Sequence, residues 1–236
     1  MKNKLLVITG GSKGIGRSII LKFAKMNFDI ITCSRNLDDL SKLKEDVNKE
    51  SKTVSVNFIQ SDLSKEKECQ NFIDYVKSFK RNLDLLVNNV GIFSPGKIYN
   101  EDEGVLERMI NTNLYSNYYI SRGLIPSMLS RKKGHIFNIC SIASKVAYSN
   151  GGSYCVSKFA LYGMSLCLRE ELKDKGIKVT SVLPGATLTS SWDGSEFDKN
   201  RFVQPNDIAE SIFSIYNMSS GSTVEEIIIR PQLGDI

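Results

Sequence analysis

Short apolar segments alternate with longer segments of helical spacing along all 236 residues of this chain. Seven of the apolar segments are short, rich in β-branched residues and bounded by Gly, Asn, Ser or Asp, as strands are. They are KLLVITG, DIITCS, VSVNFIQ, LDLLVNN, HIFNIC, IKVTSVL and VEEIII, and the helical segments lie at 15–26, 37–50, 65–80, 102–131, 153–174 and 205–218. Parallel strands need connections that cross back over the sheet. The alternation therefore predicts an α/β fold with a Rossmann-type, doubly wound parallel sheet of about seven strands flanked by helices.

One domain accounts for the whole chain. A sequence of this length buries a sizeable core without disulfides, and linkers, repeats and low-complexity tracts are not evident in it. We therefore expect residues 1–236 to form a single domain. The least regular stretch, 187–205, is polar and lies between helical segments. A loop of that length in a compact domain is usually functional, often as a lid.

The composition narrows the possible partners. The net charge of +5 is spread along the chain without a basic stripe, so we expect an anionic small ligand and no nucleic acid. Five scattered cysteines without a Cys-x-x-Cys pair, and a single histidine, predict reduced packing residues and no metal site. The first apolar run is only five residues long, too short for a signal core or a membrane span. We expect a cytoplasmic protein without membrane contact.

A glycine-rich stretch, TGGSKGIG at 9–16, joins the first strand to the first helix. Gly10, Gly14 and Gly16 would allow a tight turn in which backbone N–H groups approach a pyrophosphate at the helix N-terminus. The spacing departs from the usual Gly-x-Gly-x-x-Gly, and a purely structural turn would show the same glycines. The position between strand and helix favours a dinucleotide.

The end of the second strand indicates which dinucleotide. Arg35 follows Ser34 where such folds read the adenosine ribose, and Lys13 lies in the glycine-rich turn. An acid at the strand end favours the free 2′-hydroxyl of NAD, whereas arginine can pair with the 2′-phosphate of NADP. We therefore predict NADP(H). Two solvated surface cations are the alternative.

Tyr154 and Lys158 are four residues apart and share one face of a predicted helix. A partly exposed helix edge would produce the same pair, so the pair alone does not establish a site.

An ordered set of motifs resembles the short-chain dehydrogenase/reductase family over essentially the whole chain. The set comprises TGGSKGIG at 9–16, DLS at 62–64, NNVG at 88–91, NTNL at 111–114, Ser141 in CSIAS, Tyr154 with Lys158, and PGATLT at 184–189. Val90 stands where the family usually has alanine.

The resemblance implies a catalytic set of Asn113, Ser141, Tyr154 and Lys158. Hydride addition to a carbonyl leaves an alkoxide that needs a proton, and Tyr154 would supply it. Lys158 would lower the phenol pKa and hold the nicotinamide ribose. Ser141 would bind the substrate oxygen, and Asn113 would anchor a water in a proton relay.

The resemblance also implies a cofactor-binding set. Asp62 is equally well explained as a helix N-terminal acid, and Thr187 competes with Thr189 for the nicotinamide side. The full set is Gly10, Ser12, Lys13, Gly14, Ile15, Gly16, Arg35, Asp62, Leu63, Asn89, Gly91, Tyr154, Lys158, Pro184, Gly185, Thr187 and Thr189.

Some stretches are similar to bacterial sepiapterin reductases, which reduce side-chain carbonyls of pterins with NADPH. Trp192 would then stack on the pterin, and Asp193 or Asp235 would accept hydrogen bonds from its amino-pyrimidine edge. A hydrophobic lid over any substrate explains Trp192 as well. The alternative enzyme is a 3-oxoacyl or small-ketone reductase of the same family.

Two other classes of protein share this fold, and the sequence argues against both. A non-catalytic NADP(H)-sensing regulator typically lacks the tyrosine or the lysine, and an enoyl reductase sets its tyrosine six or seven residues before the lysine, where this chain has glycines. By analogy with the family we expect a small-molecule carbonyl substrate and a homodimer or homotetramer formed through helices 102–131 and 153–174.

Overall fold

The computed structural model describes residues 3–235. The strands are β1 Lys4–Thr9, β2 Phe28–Ser34, β3 Val56–Gln60, β4 Leu85–Asn88, β5 Gly134–Ile139, β6 Ile177–Pro184 and β7 Glu226–Ile229. The helices are α1 Gly14–Lys25, α2 Leu37–Glu50, α3 Glu66–Ser78, α4 Val105–Ile110, α5 Ser116–Leu129, α6 Gly152–Leu172 and α7 Pro205–Tyr216. Each of the seven predicted strands is present.

The strands form one parallel sheet in the order β3-β2-β1-β4-β5-β6-β7. Alternate residues of a strand point to opposite faces, and both faces of this sheet are buried. Leu6 and Ile8 join a core beneath α1, α2 and α7, whereas Leu5 and Val7 join a core beneath α3, α5 and α6. From β1 to β3 each strand is added towards one edge of the sheet, and from β4 onward towards the other edge. The connections after β1 and β4 therefore run to opposite sides and leave a crevice between them. The predicted doubly wound Rossmann-type fold is confirmed.

The helix predicted at 102–131 is not uniform. It consists of α4 and α5 joined by a π-turn at Asn111–Tyr115. Two polar side chains donate hydrogen bonds to backbone carbonyls of this widened turn. Ser116 Oγ donates to the Thr112 carbonyl at 2.5 Å, and Asn117 Nδ2 donates to the Asn113 carbonyl at 2.6 Å. Such turns recur at functional sites, and this one carries Asn113.

The face of α6 that points away from the sheet carries exposed apolar side chains. Val156, Phe159 and Leu166 are each more than 40% exposed, although the same helix packs on the sheet through Leu161 and Leu172. The expected homo-oligomer stays a prediction. Within the described residues, no helix is both long and apolar enough to cross a membrane.

His135 is a buried structural residue of β5. Its Nε2 lies 2.8 Å from Thr180 Oγ1, whose hydroxyl donates to the Val224 carbonyl at 2.6 Å, and its ring stacks 4.1 Å from that of Phe137. Burial, together with the charge of Lys178, lowers the pKa of His135 to about 3. The folded protein therefore holds this imidazole neutral.

Acid should destabilise the protein through His135. Between pH 6.5 and about 3 the unfolded chain protonates this histidine while the folded protein does not, so stability falls as pH decreases, by up to about 1.4 kcal/mol per pH unit. Urea unfolding of wild type and His135→Phe at pH 7.5, 6 and 5 measures this contribution. The wild type should lose more stability than the variant, and parallel profiles would contradict the assignment.

Candidate active site

One large cavity opens at the carboxyl ends of the strands, beside the crevice between β1 and β4. Its volume is about 1320 Å³. The glycine-rich turn, the Tyr154 and Lys158 side chains and the loop after β6 all line it. The turn and that loop are adjacent, since a Cβ added to Gly14 would lie 3.1 Å from Thr189 Cγ2. Ligands of doubly wound folds bind at this position.

The glycine-rich turn is shaped for close approach to a ligand. Gly14 has φ of +53°, a left-handed conformation that favours glycine. A Cβ on Gly16 would lie 2.4 Å from the Gly10 carbonyl oxygen, which leaves no room for a side chain there. No described side chain caps the N-terminus of α1, and its first turn contains no acid. Its backbone N–H groups therefore remain available to a phosphate.

Asn89 fastens the loop after β4 to this turn. Its Nδ2 donates to the carbonyls of Thr9 at 2.9 Å and Gly10 at 3.0 Å, and its backbone N–H donates to Thr9 Oγ1 at 3.0 Å. Gly91 follows in the same loop, where an added Cβ would lie 3.4 Å from Lys158 Nζ. The family motif therefore has a visible structural role here: it joins the two loops at the crevice.

The cavity wall after β2, where doubly wound folds read the ribose of a dinucleotide, contains both cations and acids. Arg35 is exposed and lines the cavity, and Lys13 Nζ lies 2.8 Å from Asp39 Oδ2. Asp62 also lines the cavity while its carboxylate accepts hydrogen bonds from the N–H and hydroxyl of Ser64. Asp62 is not a helix N-terminal acid, because α3 begins at Glu66 with Lys65 as its N-cap residue; its role beside the adenine ring stays a prediction.

Three of the four predicted catalytic residues, Ser141, Tyr154 and Lys158, converge in the cavity. Lys158 Nζ donates to the Ile139 carbonyl at 2.9 Å and lies 5.9 Å from the centroid of the Tyr154 ring. Ser141 follows β5, and its hydroxyl accepts a hydrogen bond from the Ala143 N–H at 3.1 Å. The Tyr154 ring is held edge-on by Phe93 at 4.9 Å. Rigid elements therefore place a hydroxyl, a phenol and an ammonium around one space.

The pKa of Tyr154 shifts in the direction opposite to the expected one. Burial raises it to about 12, and a hydrogen bond with Ser141 only partly opposes the rise. Burial also lowers the pKa of Lys158 to about 8. The expected lowering by Lys158 is absent in this structure because burial dominates and the ammonium is directed at a backbone carbonyl.

Asn113 lies behind the cavity wall and does not line it. Its Oδ1 accepts from the Ile92 N–H at 2.7 Å, and its Nδ2 donates to the Ile92 carbonyl at 3.0 Å and to Ser157 Oγ at 2.8 Å. The side chain thus fastens the loop after β4 to α6. A role in a proton relay stays a prediction.

The start of α6 is held by an acid that the sequence did not single out. Glu101 Oε1 accepts from the Ser153 N–H at 2.9 Å, and its other oxygen accepts from the Ser153 hydroxyl. A carboxylate at a helix N-terminus is stabilised by the partial positive charge there. Glu101 therefore anchors the helix immediately before Tyr154.

The predicted lid forms the third wall. Thr187 and Thr189 both line the cavity, as does Trp192, which packs on Phe202 with ring centroids 4.9 Å apart. Asp193 is exposed and does not line the cavity. The lid turns after Trp192, and this turn carries Asp193 away from the space.

The C-terminal tail supplies an acid at this wall instead. Asp235 lines the cavity, and its Oδ1 is 3.0 Å from the position of a Cβ added to Gly185. Arg230 pairs with its carboxylate, and Arg201 of the lid donates to the Gly234 carbonyl at 3.0 Å. Contacts between the lid and the tail therefore bring Asp235 to the site.

Most of the predicted site residues meet in this cavity. The three that do not line it are Gly16, which packs beneath the turn, Asn113 and Asp193. Residues that sequence reasoning missed include Asp39, Phe93 and Tyr148, which all line it. Phe93 could have been found, since it lies two residues after the NNVG motif; nothing local marks Asp39 or Tyr148. Among residues 3–235 no three His, Cys, Asp or Glu side chains cluster to hold a metal ion.

The sequence matches known proteins along nearly its whole length. The family model for short chain dehydrogenases matches residues 4–200. Sepiapterin reductase of Chlorobaculum tepidum is 31% identical over 240 residues, with 98% of each chain covered. An uncharacterized oxidoreductase of Staphylococcus saprophyticus is 28% identical over 231 residues, again with 98% of each covered.

Solved structures show the same architecture. A metagenomic short-chain oxidoreductase in complex with NADP has a TM-score of 0.84 at 26% identity, with 97% of each chain covered. An alcohol dehydrogenase from Thermococcus sibiricus, complexed with 5-hydroxy-NADP, has a TM-score of 0.90 at 24% identity, with 99% of this chain and 98% of that one covered. The family match and this shared fold lead to one conclusion: the chain belongs to the short-chain dehydrogenase/reductase family of oxidoreductases.

Proposed function

We propose that this protein is an NADPH-dependent carbonyl reductase in which Tyr154 is the general acid. The observation that carries the proposal is the convergence of Ser141, Tyr154 and Lys158 in the cavity that also contains the glycine-rich turn. A cofactor held by that turn would reach toward the Tyr154 side chain. The uncapped α1 N-terminus fits the phosphates of a dinucleotide.

The residues divide the proposed chemistry among them. Bound NADPH would supply a hydride to the substrate carbonyl. The Ser141 hydroxyl would donate a hydrogen bond to the carbonyl oxygen and orient it. Tyr154, whose pKa of about 12 keeps it protonated at neutral pH, would donate its proton to that oxygen. Lys158 would place a positive charge nearby, which stabilises the phenolate left by this transfer until a proton from solvent restores the phenol.

NADPH rather than NADH is the proposed cofactor because of the charges at the ribose end. Lys13 and Arg35 line that end of the cavity, and a 2′-phosphate binds well to paired cations. Similar proteins support the choice, since the metagenomic short-chain oxidoreductase was solved with NADP.

A pterin side-chain ketone is the proposed substrate. Trp192 offers an aromatic face in the cavity wall, and Asp235 offers a carboxylate that could accept hydrogen bonds from an amino-pyrimidine. The similarity to the sepiapterin reductase of Chlorobaculum tepidum supports this choice. Of the two acceptors expected from the sequence, Asp193 and Asp235, we keep Asp235, because it lines the cavity and Asp193 does not.

A ketone with an apolar tail is the second candidate. A groove of about 680 Å³ adjoins the cavity and shares Tyr148 with it. Ile98, Val156 and Phe159 line this groove, and it would accept an aliphatic chain. This groove favours the 3-oxoacyl or small-ketone alternative.

Comparison of NADPH and NADH oxidation with sepiapterin, diketones and 3-oxoacyl thioesters tests the proposal. We expect turnover with NADPH and the highest kcat/KM with sepiapterin. A best substrate with an apolar acyl chain would select the second candidate. Preference for NADH would contradict the cofactor, and tight NADPH binding without turnover of any of these compounds would favour a non-catalytic regulator.

A further inference from the structure

The proposed 2′-phosphate subsite contains an ion pair that a phosphate would have to disturb. Lys13 Nζ lies 2.8 Å from Asp39 Oδ2, and both residues line the cavity beside Arg35. The Lys13 side chain is 64% exposed, whereas the Asp39 side chain is 26% exposed. The carboxylate is thus the more constrained partner. An anion that binds Lys13 must compete with it.

The start of α2 holds Asp39 in this position. Asn36 is the N-cap residue, and its side chain accepts a hydrogen bond from the Asp39 N–H at 2.9 Å. Asp39 is the third residue of the helix, where the partial positive charge of the N-terminus stabilises a carboxylate. Backbone geometry therefore places the negative charge.

The glycine-rich turn is tied to the same helix start. Ser12 Oγ donates to Ser34 Oγ at 2.9 Å, and Ser34 Oγ also accepts from the Asn36 N–H at 3.3 Å. These contacts keep the residue after Ser12, Lys13, next to the first turn of α2. The ion pair between Lys13 and Asp39 is consequently a local feature of the joined loops.

The other cation of the subsite is not paired in this way. Among residues 3–235 Arg35 forms no ion pair within 4 Å, and the lysine paired with Asp62 is Lys65, with Nζ 3.6 Å from Asp62 Oδ2. Lys13 is therefore the cation that a neighbouring acid holds.

We propose that Asp39 is a specificity-determining residue that limits the preference for NADPH over NADH by holding Lys13. The inference rests on the proposed cofactor. A 2′-phosphate carries nearly two negative charges, and it must compete with Asp39 for the Lys13 ammonium. NADH has a hydroxyl in place of the phosphate, so its binding does not depend on freeing Lys13.

The test is to titrate wild type and Asp39→Asn with NADPH and with NADH and to measure the binding by isothermal titration calorimetry. An exposed ion pair stabilises only modestly, so we expect NADPH to bind about fivefold more tightly to Asp39→Asn than to wild type. NADH binding should stay within about twofold. In a Lys13→Met background, the gain from Asp39→Asn should disappear, because no lysine is left to free.

Asp38→Asn is the matched control. Asp38 is the preceding residue in the first turn of α2, is exposed and does not line the cavity, so the variant makes the same charge change outside the subsite. An equal gain in Asp38→Asn, an unchanged or weaker NADPH affinity in Asp39→Asn, or a gain that persists without Lys13 would each overturn the inference. Wild type that binds neither dinucleotide would instead overturn the proposed cofactor, so the two failures are distinguishable.

Discussion

Tyr154→Phe should lower kcat for carbonyl reduction by about 10²- to 10⁴-fold, the usual contribution of a positioned general acid. The substitution removes only the hydroxyl, and Phe93 would still pack edge-on against the ring that remains. NADPH affinity should change little, because the fold and the glycine-rich turn are untouched. Steady-state NADPH oxidation, together with a calorimetric titration of NADPH, measures both quantities.

Tyr148→Phe provides the control for this prediction. Tyr148 lines the same cavity but also borders the adjoining groove, and no catalytic role is assigned to it. Its loss of a hydroxyl should affect kcat far less than the loss at Tyr154. A Tyr154→Phe variant that keeps kcat within tenfold of wild type, or a Tyr148→Phe variant that loses as much, would contradict the assignment of Tyr154 as the acid.

Gly16→Ala should weaken dinucleotide binding. The added methyl group would lie 2.4 Å from the Gly10 carbonyl oxygen and 2.6 Å from Asn89 Nδ2, so the turn and the loop after β4 must move apart. Overpacking of this kind costs about 1–3 kcal/mol. We expect NADPH affinity to fall by about tenfold or more, with a lower midpoint of thermal unfolding. Calorimetric titration and a thermal melt measure the two effects.

Gly163→Ala is the control, and it tests whether the loss of NADPH affinity comes from the position of Gly16 or from any replacement of a glycine by alanine. Gly163 lies inside α6, and none of the described residues has an atom within 4 Å of a Cβ added there. Alanine is favoured over glycine in a helix interior by about 0.5–1 kcal/mol, so this variant should be slightly more stable. Wild-type NADPH affinity in Gly16→Ala would show that the close approach does not matter.

Strand positions were readable from the sequence because they depend on local composition. Each apolar run is short and lies between turn residues, and both buried faces of the sheet require continuous apolar character. Helix boundaries were less accurate. The segment 102–131 has helical spacing throughout, but it contains a π-turn at Asn111–Tyr115, and Asn113 of this turn bonds to Ile92 of the loop after β4. No periodicity within the segment reveals such a contact.

The sequence predicted cavity residues correctly where they belong to one short motif, because such residues stay close together in any fold. The glycine-rich turn and the Tyr154–Lys158 pair are local, and both line the cavity as expected. The choice of Asp193 was different, because whether a loop residue faces a cavity depends on the path of the lid. Asp235 lies far along the chain and reaches the wall through contacts of the tail with the lid.

The sequence by itself determined the doubly wound parallel fold and the family, because periodicity and ordered motifs are properties of the chain. Tertiary structure alone decided which acids lie in the cavity, as Asp39 beside Lys13 and Asp235 beside Gly185 show. It also decided the raised pKa of Tyr154 and the lowered pKa of Lys158. Ionisation depends on burial and on charges brought near by folding, and neither exists along an extended chain.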